Sequence, residues 1–274
     1  MKRSLLLLRV AALGLLVFQI TSCQKILDHW PGHGHGGGDS TVKYRIKSVT
    51  YFAGDVDTTS LREATFEYGT DNVLDSVVAT DDDPNITETL YFTYNATGAL
   101  VAYAKFHRDL SEPTARYTVE HWYGIGSGNR ILTDTMAHSG FATGFGDKSN
   151  LEYDDQSRVI SDVHQSAADG NIFPVDTLTF SYDASGNRGF VDRGNGGITS
   201  TGGGVTDSTV YDNKVAYRST NPIFQLIDRD WSKNNSTYAT SYNSAGLPLG
   251  FAKGSQEDFL DLGEPRVIEW EQVP

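Results

Sequence analysis

The chain has 274 residues, with 35 Asp and Glu against 22 Lys and Arg, a formal charge of −13. That acidic balance argues against nucleic acid and anionic bilayer surfaces as partners. The single cysteine, Cys23, rules out an intramolecular disulfide.

Residues 1–22 read as an export signal rather than as part of a fold. Lys2, Arg3 and Arg9 make a basic start, and Val10 to Phe18 is an unbroken apolar run. That run is well short of the roughly 20 residues that cross a hydrocarbon core. The stretch Ile20-Thr21-Ser22-Cys23 resembles the bacterial lipobox, which implies cleavage before Cys23 and diacylglyceryl attachment to its thiol. Loss of Lys2, Arg3 and Arg9 takes the formal charge from −13 to −16. Acylation contributes about 0.8 kcal/mol per buried methylene, so Cys23 is expected to hold the mature chain at membrane lipid. Residues 23–40 then serve as a tether, with His33-Gly34-His35-Gly36-Gly37-Gly38 too glycine-rich to pack. His29, His33 and His35 belong to that spacer, since no acidic or cysteine set completes a metal site beside them.

From residue 41 to 274 one phrase repeats. Tyr68, Tyr94, Tyr123, Tyr153, Tyr182, Tyr211 and Tyr242 follow one another at gaps of 26, 29, 30, 29, 29 and 31 residues. Such a step marks a string of similar units in one domain. Before each tyrosine, large and polar residues alternate. In Asp176 to Tyr182, Leu178, Phe180 and Tyr182 share one face, with Thr177, Thr179 and Ser181 on the other. This is the period-2 pattern of a half-buried strand.

After the tyrosine comes a turn. Asn95-Ala96-Thr97-Gly98, Asp183-Ala184-Ser185-Gly186 and Asn243-Ser244-Ala245-Gly246 begin with an Asx side chain able to accept backbone N–H bonds. They end with a glycine that tolerates positive φ. Asp154 to Ser157 is a copy with Ser in the glycine position. Second strands are expected over Ala99–Phe106, Arg130–Met136, Arg158–His164, Lys214–Arg218 and Leu247–Ala252, so each unit is a β-hairpin. Pro84, Pro113, Pro174 and Pro222 are placed between strands. No amphipathic helix is expected beyond the N-terminus. The stretches around Tyr44 and Val267 to Trp270 read as end strands without a full hairpin partner. The expected fold is all-β: a single antiparallel meander of about seven hairpin repeats, too many strands to stay open and flat. It should roll into a barrel or a partly open, barrel-like sheet.

The Tyr-Asp-x-x-Gly phrase, as in Tyr182-Asp183 through Gly186, resembles the tyrosine–aspartate (YD) repeats of Rhs-type surface proteins. A closer likeness is to lipoproteins of Bacteroidota, a family of unknown function described as porin-like in fold. It rests on Ser22-Cys23, the repeated hairpins, and the closing stretch from Asn221-Pro222 to Gly246-Leu247-Pro248. The resemblance implies a lipid-anchored outer-membrane protein and no particular activity.

No catalytic residue, metal site or cofactor site emerges from the pattern. His107, His121, His138 and His164 fall in different units without metal-ligand spacing, and read as exposed or hydrogen-bonded strand histidines. Gly124 to Gly128 occupies a turn position and opens no helix, which disposes of a phosphate cradle. Asp81-Asp82-Asp83-Pro84-Asn85 has oxygen ligands but lacks the glycine and terminal Glu of a calcium loop. Equivalent residues recurring in every unit suit a non-enzymatic binding or structural module, with a glycan or an envelope protein as partner. The competing readings are a membrane-embedded β-barrel and a glycan-active hydrolase.

Overall fold

The structure is a computed structural model that describes residues 43–52, 61–81, 83, 85–109, 116–139, 146–168, 171–195, 211–236, 239–252 and 259–273. The signal, Cys23, the tether, Pro84 and Pro113 lie outside these residues.

The alternating pattern produces long strands. In chain order they are β1 (Tyr44–Phe52), β2 (Leu61–Tyr68), β3 (Leu74–Thr80), β4 (Ile86–Tyr94), β5 (Leu100–Asp109) and β6 (Arg116–Ile125). There follow β7 (Ile131–Ser139), β8 (Gly146–Tyr153), β9 (Val159–Ala168), β10 (Asn171–Tyr182) and β11 (Arg188–Asn195). Each pairs antiparallel with the next. The chain then forms β12 (Tyr211–Val215), helix α1 (Pro222–Ile227), β13 (Asn234–Ser236), β14 (Ala239–Tyr242), β15 (Pro248–Phe251) and β16 (Pro265–Gln272). β16 pairs with β1, so one sheet of 14 strands runs from β14 through β15, β16 and β1 to β11. The two end stretches that lacked partners in the sequence are therefore each other's partner, with Ile46 opposite Trp270. The sheet is all-antiparallel and not closed, a partly open barrel-like roll.

A recurrent irregularity curls it. In six hairpins the strand leaving the tight turn carries one unmatched residue: Asp75, Val101, Leu132, Ile160, Gly189 and Leu249. Such a bulge strengthens local twist and bends the strand. Repeated at one rim, it bends the sheet in one sense. The turns form as their residues require. Asp183 Oδ1 accepts from the amides of Ser185 and Asn187 at 2.8 and 3.0 Å, and Gly186 takes φ +86°.

Where the gap between β11 and β14 interrupts the backbone ladder, β12 and β13 pair with one another. Side chains make the connection instead. The Tyr211 hydroxyl donates to the Arg188 carbonyl at 2.9 Å, and the Tyr242 hydroxyl bonds the Asp212 carboxylate.

Four expectations are corrected. Lys214–Arg218 is not a second strand. The Asp212 unit has Val215 where the Asn95, Asp183 and Asn243 units have glycine, and β12 runs straight on into a tight helical turn at Tyr217–Thr220. α1 is a helix where the sequence pattern predicts none. It is too short to display a period, but Asn221 caps it by accepting from the Ile223 amide at 3.0 Å, and Pro222 opens it. Pro174 lies inside β10 opposite Gln165, tolerated beside a register shift. Finally, Tyr123 is not the strand-exit residue of its unit. Ile125 stands opposite Ile131 there, and the turn runs from Gly126 to Arg130.

The core fills the tight-turn half of the roll. Ile223, Phe224 and Leu226 of α1 are buried against the sheet, and the Phe224 ring lies 4.9 Å from Phe259 and 5.8 Å from Phe66. Burying such a side chain stabilises by about 1.5–3 kcal/mol.

Candidate functional site

Counting back in twos from each strand-exit tyrosine gives the inward-facing residues. Near the turn these are apolar: Phe66, Phe92, Leu151 and Phe180 are all buried. Six residues before the tyrosine the inward position becomes charged: Arg62, Glu88, Asp147 and Asp176. His121 of β6 joins them, and the returning strands answer with Lys105, His107, Asp134 and His164. The inner wall toward the far rim is thus a belt of ionisable groups.

On one side of the belt Glu88, 5 % exposed, accepts from Arg62 Nη1 at 3.0 Å and lies 3.5 Å from Lys105 Nζ and 3.3 Å from His107 Nδ1. Arg62 also donates to Asp81 at 3.0 Å, which commits that member of the acidic run to an ion pair. On the other side Arg229, delivered by the turn after α1, reaches two strands. Its Nη2 donates to Asp134 at 2.7 Å, its Nε donates to Asp162 at 3.1 Å, and its Nη1 donates to the Leu226 carbonyl. Asp134 also lies 2.8 Å from His121 Nδ1. Burial pushes the Asp134 carboxyl up, but the His121 bond and the Arg229 charge outweigh it and hold it below the ordinary value. An ionised carboxylate can only accept, so His121 donates its Nδ1–H to Asp134. The Tyr103 ring stacks on His121 at 4.2 Å. His164 sits between Asp147 and Asp176, 3.6 and 3.4 Å away.

These groups surround a cavity of about 150 Å³ lined by Tyr103, His121, Tyr123, Asp134, Asp147 and Arg229, among others. A cavity of that size holds a benzene-sized molecule. Tyr123, displaced from the strand-exit position, lines it at 7 % exposure, and its buried hydroxyl has no hydrogen-bond partner in the protein. Burial, and then the nearby Asp134 charge, raise that phenol well above its ordinary value, so it stays protonated.

His107, His121 and His164 are each hydrogen-bonded or ion-paired, and His121 and His164 meet at one cavity. Even spacing from Ile125 places His121 on the inner face, whereas the bulge at Ile160 takes His164 out of step with a period-2 count from its turn. Cys23 lies outside the described residues. Among the described residues no group of three or more His, Cys, Asp or Glu is placed to hold a metal ion. The chain matches no family model and no curated protein.

Proposed function

We propose that this protein is an outer-membrane lipoprotein, anchored through acylated Cys23, whose rolled sheet is a non-enzymatic binding module taking a small polar ligand into its interior. The observation that carries this reading is the cavity: unlike polar groups from five strands and from Arg229 converge on it, and the Tyr123 hydroxyl is buried there unpartnered. Preformed concave sites with a few convergent polar groups are where small ligands bind.

The outward face supports anchoring rather than embedding. Glu63, Glu67, Arg108, Lys148, Glu152 and Glu269 are exposed along the strands. A lipid-facing Arg or Lys at mid-bilayer costs about 2–4 kcal/mol. β1 begins and β16 ends at the tight-turn rim, so a tether entering at β1 leaves the charged half of the interior directed away from the bilayer. A hydrolytic reading is weaker. A glycosidase needs a carboxylic acid kept protonated by a raised pKa, and Asp134 is held low.

The test is the mature chain carrying Cys23→Ser and lacking the signal. It should be monodisperse without detergent, and calorimetry against monosaccharides, short glycans and small polar solutes should find a ligand. A chain that needs detergent, or a blank across the panel, overturns the proposal.

A further inference from the structure

We infer that the ligand of this chamber is a compact organic cation: an amine whose ammonium meets the cavity carboxylates and whose neighbouring hydroxyl or carbonyl meets Tyr123. This rests on the reading of the cavity as a binding site and adds the class of ligand. Three carboxylates line the space, Asp134, Asp147 and Asp261, against a single guanidinium. That guanidinium, Arg229, also serves Asp162 behind the wall, and each of its three nitrogens already donates, to Asp162, to Asp134 and to the Leu226 carbonyl. Three of its five N–H groups are thus spent on the protein, and its single charge already faces two aspartates. The His121 Nδ1 proton is likewise committed to Asp134.

What remains on the wall is the rest of the Asp147 carboxylate, whose Oδ1 accepts from Ser166, and the hydroxyls of Tyr103, Tyr123 and Ser149. The Tyr123 hydroxyl, buried and without a partner in the protein, can donate to a ligand as well as accept from it. An ammonium carries three donors and no acceptor, which suits such a wall. A carboxylate or phosphate of the same size would place its oxygens against Asp134 and Asp147 and remain poorly paired. Tyr103 closes the site by stacking on His121, and the volume of about 150 Å³ limits the ligand to roughly the size of one small ring.

The experiment uses the mature Cys23→Ser chain and three probes of matched size: ethanolamine, ethylene glycol and glycolate. Binding is followed by calorimetry and by the NMR signals of the His121 and His164 rings. Ethanolamine should bind and shift both rings, and the other two should bind at least tenfold more weakly. Asp147→Asn should weaken ethanolamine binding at least tenfold, and Tyr123→Phe severalfold. Glu152→Gln, on the outer face, should leave it unchanged. Tighter binding of glycolate or ethylene glycol would overturn the cation class while leaving the chamber standing. An equal loss in Glu152→Gln would reduce the effect to general attraction by an acidic protein, and likewise overturn it. Silence from all three probes, with neither histidine ring moving, would remove the chamber itself.

Discussion

The Tyr94 hydroxyl donates to the carbonyl of Leu74, 2.7 Å away and 20 residues earlier, and so ties each hairpin to the one before it. Tyr68 makes the same bond to Ile46, Tyr153 to Ile131, Tyr182 to Val159 and Tyr211 to Arg188. In the last unit Trp270 takes the tyrosine's part, donating its indole N–H to Pro248 at 2.7 Å. Arg45, Arg130 and Arg158 lie over the rings of Tyr68, Tyr153 and Tyr182. The repeat is a ring of side-chain clamps at one rim.

Tyr94→Phe should therefore lower stability by about 1 kcal/mol, the net worth of one such bond. Tyr123→Phe removes a hydroxyl that bonds nothing in the protein, so its stability should be unchanged or slightly higher. Urea unfolding of the two variants, at constant m, checks the contrast. Equal losses would mean that Tyr123 has a structural partner after all.

Arg229→Met should be among the most damaging single changes, costing about 3–5 kcal/mol, because it strands Asp134 and Asp162 without their counter-charge. Adding Asp134→Asn and Asp162→Asn to it should restore more than half of the loss. Equilibrium unfolding of the single and triple variants decides between stranded charge and lost packing. A triple variant no better than the single would assign the loss to packing.

Stability should fall in acid, and the sign follows from two buried carboxyls. Burial raises Asp230, but Arg188 and Arg218 outweigh it, and like Asp134 it is held below its ordinary value. The unfolded chain binds these protons first, near the ordinary Asp value of about 3.9. The stabilisation is thus complete above that value and is lost as pH falls through the lower folded values. The alkaline limb has the opposite sense. Burial holds the Tyr153 phenol up at about 12, so its contribution is complete below about pH 10. It is lost as pH rises through about 12. Urea midpoints across both limbs should show the two losses, with a shallower acid limb in Asp230→Asn.

The turns should respond in opposite directions to glycine. Gly98 has φ +78° with open space around its Cβ position, so Gly98→Ala should cost about 1 kcal/mol from backbone strain alone. Ser157 holds φ +61° in the same turn of another unit. Ser157→Gly relieves that strain and should raise stability by a few tenths of a kcal/mol, after the entropy glycine loses on folding. Thermal midpoints of the two variants test this.

The sequence by itself determined the unit. The alternation up to Tyr182, the Asx side chain after it and the glycine at 186 are local statements about strand and turn, and they hold wherever the chain is placed. They sufficed for the all-β meander and its rolling. Tertiary structure alone decided which strands became neighbours at the ends, because Ile46 and Trp270 meet across the whole chain. It also decided what lay inside. The bulges at Val101, Leu132 and Ile160 shift the alternation by one, so a period-2 count from the turn puts His121's partner Asp134 on the wrong face. Arg229 enters from a segment in which the repeat lapses, and no local pattern marks it. Asp134, Asp162 and Arg229 are far apart in sequence and adjacent in space, and their grouping follows from the roll of the sheet around α1.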